Sequence, residues 1–462
     1  MVSISLIQQT VDTTTLKKEK PNEISPNMKP RSGNFSAWPS TSLQHMLLKD
    51  IRLVILEVNA TQKKETDRYN LITFGIFETD AAKFDETILK NFDQSWAVVV
   101  ARGRDYRLMR PKQNQSIESE VSTHYFLIQS TMIIHVAVIF RRNDFFWIAG
   151  VKNSVLPPDY QYLSSLQYGI PLPMAVDAFK CSDPVDYESL IFSFPTILPT
   201  FCIPDDLDYY LWQLQHAEFV ECHYEDIVYP FNNQYKVEEA GDTKAQGMAI
   251  REAVQIARRL RIPATIYAGT LLGWYRQCNF IVHSKDADLL IMATDYKDDL
   301  FRALFTSKIL KLCCRHGTPE FGLEYRTFTR DTQFWLDIMF MYATSNPNKY
   351  AAYLWGNKEI YKSTYPPMKG VCSAELFGVL VYIPCNYAEL VQFEFGEGKW
   401  LIPYTGSHYT QENMKTEREY LPGETEIMTH NYETFDCVHP NPMWGCDSAP
   451  QNSTFNQNFS KN

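Results

Sequence analysis

No stretch of this 462-residue chain is apolar for long enough to cross a membrane as a helix. Such a helix needs about 18–20 apolar residues in succession. The best run, Thr131–Phe140 (TMIIHVAVIF), stops at Arg141-Arg142 and reads as a buried strand. Met1–Thr15 has neither a basic start nor a sustained apolar core, so it does not read as a signal peptide. Taken alone, these two absences predict a cytosolic protein. Positive charge is also scarce: 44 Lys and Arg against 54 Asp and Glu leave a net charge of −10. Nucleic-acid binding needs a clustered basic face. Lys17–Lys20 and Arg258–Arg261 are too short to supply one, reading instead as part of a disordered tail and as a solvated helix face, so nucleic acid is not the expected partner. The ten cysteines contain no C-x-x-C pair, which removes a zinc module, and Cys313-Cys314 with His316 lacks metal-ligand spacing. No internal repeat is visible.

What is present describes a globular protein, with 45% hydrophobic and 14% aromatic residues. Its length exceeds one ordinary core, so two domains are expected. Against the cytosolic reading stand N-x-S/T sequons at Asn34, Asn59, Asn114, Asn452 and Asn458. Composition leaves the compartment open. In an oxidising one, Cys437 and Cys446 are candidates for a disulfide.

Residues 1–41 carry little apolar periodicity and read as a disordered tail or stem. Residues 42–235 read as a mixed α/β domain and connector. Its strand-like runs are Ile51–Val58, Leu71–Phe77, Trp96–Ala101, Tyr125–Gln129, Met132–Phe140 and Phe145–Val151. A helix is expected through Ala81, Phe84, Ile88 and Phe92. Residues 236–405 read as the catalytic domain. Gly241–Gly247 precedes an amphipathic helix with Ile250, Val254, Ala257 and Leu260 on one face, ended by Pro263. A further helix is expected over Tyr296–Leu312 and a strong strand over Phe334–Ala343. Residues 406–462 form a C-terminal extension whose end, Gln451–Asn462, is of low complexity.

The most informative stretch is Tyr267–Ile291, YAGTLLGWYRQCNFIVHSKDADLLI. Asp286 and Asp288 open its apolar strand. Alternate strand residues share a face, so the two carboxylates project together, roughly 7 Å apart. That pattern suits a hard divalent cation, and the Gly269-Thr270 turn upstream could hold a phosphate on its backbone N–H groups. Asp337 is a third carboxylate, isolated in FWLDIMFMY, where burial is costly without a partner. Alone it reads as a satisfied core aspartate. With the other two, it completes the plan of a nucleotidyltransferase-fold site.

Gly269–Ile291 resembles the core motif of the LicD/fukutin family, with WYRQCN and SKDxDL its most specific parts. Further matches are Phe219–Cys222 (FVEC), Thr294–Asp299 (TDYKDD), Phe334–Asp337 (FWLD), Ile383-Pro384, Phe395-Gly396 and Trp400–Pro403 (WLIP). The similarity runs from about His216 to Tyr404. Three positions depart from the usual pattern: Ser284 stands where many members carry an acid, Leu290 where a glycine is usual, and His283 where an aromatic is more common. The family's N-terminal membrane anchor is not seen in this chain.

The resemblance implies a nucleotidyltransferase-like mixed-sheet catalytic domain preceded by a smaller mixed α/β domain, in an α/β (α+β) protein. It implies transfer of ribitol 5-phosphate from CDP-ribitol to the hydroxyl of a glycoprotein glycan, with release of CMP. It further implies a Golgi or endoplasmic-reticulum lumenal location and association with related transferases. Asp286, Asp288 and Asp337 would hold Mg²⁺ or Mn²⁺, with Asp337 alternatively orienting and deprotonating the acceptor hydroxyl. Gly269 and Thr270 would approach the donor phosphates, and Arg276 and Lys285 would neutralise their charge. Two other readings stay open: phosphocholine transfer from CDP-choline, and a catalytically silent glycan-binding scaffold.

Overall fold

A computed structural model describes residues 51–56, 69–104, 120–179, 201–281, 284–356, 359–403, 417–420 and 433–434, with gaps at 92–94, 178, 203–205, 236–243, 285 and 333. The expected tail and stem, the five sequons, His283, Lys285, Cys437, Cys446 and the low-complexity end lie outside the described residues.

The first part of the chain builds a mixed sheet from β1 (Leu53–Ile55), β2 (Asn70–Phe77), β3 (Ala97–Arg104), β4 (Glu120–Gln129), β5 (Met132–Arg142), β6 (Phe145–Ile148), β7 (Met174–Val176) and β8 (Phe201–Cys202), with α1 (Glu78–Asn91) following β2. The strand order is β3-β4-β5-β2-β1-β8, and β6 and β7 extend from β5. Apolar runs make the central strands: β5 is buried along nearly its whole length. Helix α1 buries Ala81 and Phe84 against the sheet, with the Phe84 ring 4.6 Å from that of Tyr125.

The second part follows with α2 (Leu207–Leu214), α3 (Tyr229–Tyr235), α4 (Lys244–Arg259), β9 (Thr265–Ile266), α5 (Ala268–Gln277), β10 (Asp286–Met292), α6 (Asp298–Thr306), β11 (Leu310–Thr318), β12 (Phe321–Thr329), β13 (Trp335–Ala343), β14 (Tyr350–Gly356), β15 (Glu359–Tyr365), β16 (Val371–Leu376), β17 (Val379–Pro384), α7 (Tyr387–Phe395), β18 (Glu417–Tyr420) and β19 (Glu433–Thr434). The larger sheet runs β16-β17-β9-β10-β13-β12-β11-β19, while β14, β15 and β18 branch from β13. Two mixed sheets with flanking helices make the α+β class anticipated from the sequence. Helix α4 lays Ala249, Ile250, Ala253, Val254 and Ala257 on the core of this sheet, the spacing of one helical face.

Two local expectations are corrected. The helix expected over Tyr296–Leu312 ends at Thr306, and Leu310–Leu312 belongs to β11. Leu300 and Leu304 are buried at helical spacing, but Leu310 and Leu312 alternate as a strand does. Ser307 marks the break, its hydroxyl accepting from the N–H groups of Ile309 and Leu310. Gly247 lies inside α4 rather than ahead of it. A Cβ there would sit 2.6 Å from Cδ1 of Phe377, so the glycine admits that ring.

The segment before α4 joins the two sheets. Glu218 pairs with Met174 beside the first sheet, and Phe219 pairs with Ser373 of β16. Arg142 of β5 donates to both Glu221 oxygens at 2.7 and 2.6 Å and to Glu375 of β16. Its guanidinium lies 5.0 Å from the Phe219 ring centroid. The Glu375 carbonyl in turn accepts from the Trp274 indole N–H at 3.1 Å, tying α5 to the same joint. Two disulfides reinforce this region: Cys222–Cys278 fastens the joint to the C-terminus of α5, and Cys372–Cys385 fastens β16 to the residue after β17.

Candidate active site

The pairing of β10 with β13 builds the site. The two strands are parallel neighbours with Asp288 in register with Asp337 and Asp286 with Trp335. Ala287, Leu289 and Ile291 share a face with Leu336, Ile338 and Phe340 in the main core. On the other face Leu290, Met339 and Met341 pack with Tyr267 and Tyr365. Period-2 alternation then places Asp286, Asp288 and Asp337 together on that second face. The hydrophobic pattern that anchors both strands thus aligns their three acids.

Helix α5 enters at the same point. Its first turn is stapled to Asp288 twice: the Thr270 hydroxyl accepts from the Asp288 N–H at 2.9 Å, and the Tyr267 N–H donates to the Asp288 carbonyl at 3.1 Å. A Cβ on Gly269 would lie 3.9 Å from Oδ2 of Asp288, so bare backbone faces that carboxylate. Ala268, just before, has φ +45°, a left-handed conformation that costs a non-glycine residue about 1–3 kcal/mol. Further along, a Cβ on Gly273 would meet the Asn279 carbonyl at 2.6 Å, which explains the glycine of LLGWY.

Three groups not singled out from the sequence complete the surroundings. Glu324 and Arg326 lie on β12, the latter directly opposite Asp337 in the antiparallel register. Arg326 Nε and Nη2 reach Oδ1 and Oδ2 of Asp337, both at 3.2 Å, and Nε is also 3.2 Å from Oε1 of Glu324. Glu394 of α7 is 3% exposed and acts electrostatically on Asp288. The Asp286 carboxylate accepts from the Ser284 hydroxyl at 2.7 Å.

The electrostatics follow from burial and like charge. Burial, then Asp286, Asp337, Glu394 and Glu324, push Asp288 well above the ordinary carboxylate range. Burial pushes Glu324 up to about 7, an effect that Arg326 opposes and Asp337 reinforces. Asp337 is also raised by burial, again against Arg326. The Glu324 shift has a testable sign. Its folded pKa is raised, so the folded state keeps a proton that the unfolded chain releases above about 4.5. The stability it contributes is complete below that pH and is lost as pH climbs to about 7. His124, lowered by burial to about 4, titrates in the opposite sense, so the whole-protein profile is not the readout. Instead, the stability of Glu324→Gln relative to the parent is expected to rise between pH 4.5 and 7. Urea unfolding across that range tests this, and a variant stability that stays constant or falls relative to the parent contradicts it.

The donor set suits a divalent cation: hard carboxylate oxygens with an excess of negative charge at a buried point. Among the described residues, however, no group of three or more His, Cys, Asp or Glu side chains converges closely enough to hold a metal ion. Both Asp337 oxygens are engaged by Arg326, and Asp286 is engaged by Ser284. Asp286 and Asp288 stand as alternate residues of one strand, with Asp337 beside them.

Among the other anticipated residues, Gly269 and Thr270 lie at Asp288, and Lys285 lies outside the described residues. Arg276 does not join the carboxylates. It sits six residues beyond Thr270, about 9 Å along the helix axis, and is 4% exposed. Its guanidinium donates to the Trp400 carbonyl and the Gln277 side chain and lies 5.1 Å from the Phe231 ring centroid. Arg276 therefore clamps the closing segment at the far end of α5.

A family model described as LicD/FKTN/FKRP, nucleotidyltransferase domain, matches residues 261–386. That span contains Asp286, Asp288, Glu324, Arg326 and Asp337. Similar curated proteins include the ribitol-5-phosphate transferase FKTN of Homo sapiens, 28% identical over 299 residues, covering 62% of this chain and 60% of the relative. The protein of the same name from Macaca fascicularis is 32% identical over 213 residues, covering 44% and 43%. An uncharacterized protein of Caenorhabditis elegans is 28% identical over 224 residues, covering 46% and 58%. The chain spans less than two thirds of the length of these relatives.

Proposed function

We propose that this chain, whose residues 261–386 match the LicD/FKTN/FKRP nucleotidyltransferase domain, transfers ribitol 5-phosphate from CDP-ribitol to a glycoprotein glycan and releases CMP. The observation that carries this reading is the register that sets Asp288 against Asp337, two residues along from Asp286, beside the backbone turn at Gly269. In the reaction the acceptor hydroxyl oxygen forms a bond to the ribitol-bearing phosphorus. The diphosphate P–O bond breaks, CMP leaves with the bonding pair, and the hydroxyl proton is released.

Such chemistry asks a protein mainly to position groups and to meet negative charge as it spreads. Asp286 and Asp288 would hold Mg²⁺ or Mn²⁺, with Asp337 as the third carboxylate. The ion, when bound, supplies positive charge to the donor diphosphate. Gly269 and Thr270 bring backbone N–H groups to the same place. Lys285, adjacent to Asp286 in sequence, is assigned to neutralising donor charge.

The two disulfides support an oxidising compartment, so we place the protein in the Golgi or endoplasmic-reticulum lumen. Association with related transferases belongs to the same proposal. The test is CMP release by the purified chain from CDP-ribitol and from CDP-choline, with Mn²⁺ and an O-mannosyl glycopeptide. Release from CDP-ribitol alone is expected. Release from CDP-choline instead would reassign the donor, and glycan binding without release from either would mean a silent binding subunit.

A further inference from the structure

We infer that the first sheet carries a second binding site, a recess that takes a neutral sugar residue of the acceptor glycan. The inference deepens the proposed transfer and rests on it for the class of the acceptor. The recess has a volume of about 520 Å³ and lies between the short helical turns Pro158–Ser165 and β7, with Ser164, Leu166, Gln167, Tyr168, Gly169 and Leu172 in its lining. Small-molecule pockets begin at about 300 Å³, so a sugar ring has room. None of the lining residues carries a charge. No cation meets a diphosphate here, and the lining matches a neutral ligand.

The polar groups are those a hydroxyl-bearing ring requires. The main-chain N–H groups of Gln167, Tyr168, Gly169, Ile170 and Leu172, and the carbonyls between them, have no hydrogen-bond partner among the described residues. Main-chain donors and acceptors need partners, and a sugar hydroxyl both donates and accepts. The Gln167 side chain is exposed and equally unengaged. Pro171 interrupts the row of N–H groups, so the segment does not present the regular ladder that a peptide strand would need. The Tyr168 ring supplies a flat apolar wall for the C–H face of a sugar, with Leu166 and Leu172 beside it. That ring is fixed: its hydroxyl donates to the Leu163 carbonyl at 2.6 Å, and it lies 4.6 Å from the His135 ring. His135 is held in turn by His124 at 3.0 Å and Thr73 at 3.3 Å. Burial lowers both imidazoles, His124 to about 4, so the floor beneath Tyr168 is uncharged at neutral pH. The wall of the recess then runs into the joint: the Pro173 carbonyl accepts from the Phe219 N–H at 2.8 Å, and Phe219 pairs with Ser373 of β16. A sugar held here is therefore tied to the catalytic sheet.

The experiment is a calorimetric titration of the purified full chain, without metal or CDP-ribitol, using an O-mannosyl glycopeptide and the same peptide lacking sugar. Binding of the glycopeptide alone is expected. Gln167→Trp fills the recess from an exposed position and should weaken that binding by about 10-fold, the worth of one or two hydrogen bonds, at parent-like unfolding temperature. In the CMP assay it should raise KM for the glycopeptide by the same factor and leave KM for CDP-ribitol unchanged. Tyr168→Leu removes the ring face and should show the same loss if the tryptophan variant does not fold. Parent-like glycopeptide affinity in the folded variant overturns the assignment, as does equal binding of the bare peptide, which would make the recess a peptide site. If the parent binds glycopeptide and releases no CMP while Gln167→Trp still weakens binding, the assignment stands and the transferase reading falls. A parent that binds no glycopeptide ends the assignment, whatever its activity.

Discussion

Asp288→Asn is expected to lower CMP release from CDP-ribitol by at least about 10³-fold while leaving the metal-free fold at least as stable as the parent. Asp288 is where the like charges meet: Asp286, Asp337, Glu394 and Glu324 all disfavour its ionised form, on top of burial. An asparagine has nearly the same shape and removes one member of that repulsion. Its backbone N–H and carbonyl still meet Thr270 and Tyr267, so the α5 junction survives. The variant should also lose any rise in unfolding temperature on adding Mn²⁺, because a ligand stabilises only the state that binds it. Thermal unfolding with and without Mn²⁺, run beside the CMP assay, reads both effects. Near-parental turnover removes Asp288 from the chemistry. Turnover lost only through unfolding makes the residue architectural.

The second large effect lies away from the carboxylates. Arg142→Met is expected to destabilise the protein by about 3–5 kcal/mol, because removing one partner of a buried ion pair strands the other. Glu375 is the partner left behind, 8% exposed on β16, whereas Glu221 is more open and loses less. Because the Glu375 carbonyl also receives the Trp274 indole, the loss should reach the helix whose first turn lies on Asp288. Urea unfolding measures the first effect, and Mn²⁺ affinity of the folded fraction measures the second. Adding Glu375→Gln to Arg142→Met should recover part of the stability. A loss below about 1 kcal/mol, the range of an exposed ion pair, would refute the account.

The legible parts of the site were those written in short-range pattern. Asp286 and Asp288 stand at alternate positions of one apolar strand, so their shared face followed from period-2 alternation, whereas the place of Asp337 beside them is set by the β10–β13 register. Glu324 and Arg326 were not legible. In GLEYRTFT they resemble the polar half of an ordinary strand, and only the β12–β13 register shows that they lie against Asp337. For a related reason, nearness in sequence to the Gly-Thr turn concealed the place of Arg276 at the other end of a helix. The Tyr296–Leu312 expectation failed because leucines at 300, 304 and 312 suit a continuous helix, and nothing but Ser307 marks the change of period. Cys222–Cys278 joins residues 56 apart, and no local spacing encodes such a pair.

Parallel alignment of β10 and β13 means that the spacing of the acids is an address written in chain length. The chain leaves β10 at Met292 and must return in step at Trp335, through α6 and the β11–β12 hairpin. One residue gained within β13 ahead of Asp337 would turn its carboxylate to the opposite surface of the sheet, even though every functional side chain was still encoded. Insertions beyond Ala343, where the strand has already delivered its cargo, carry no such penalty. Within β13, the count of residues from Trp335 to Asp337 is therefore constrained as tightly as the identity of the acids themselves.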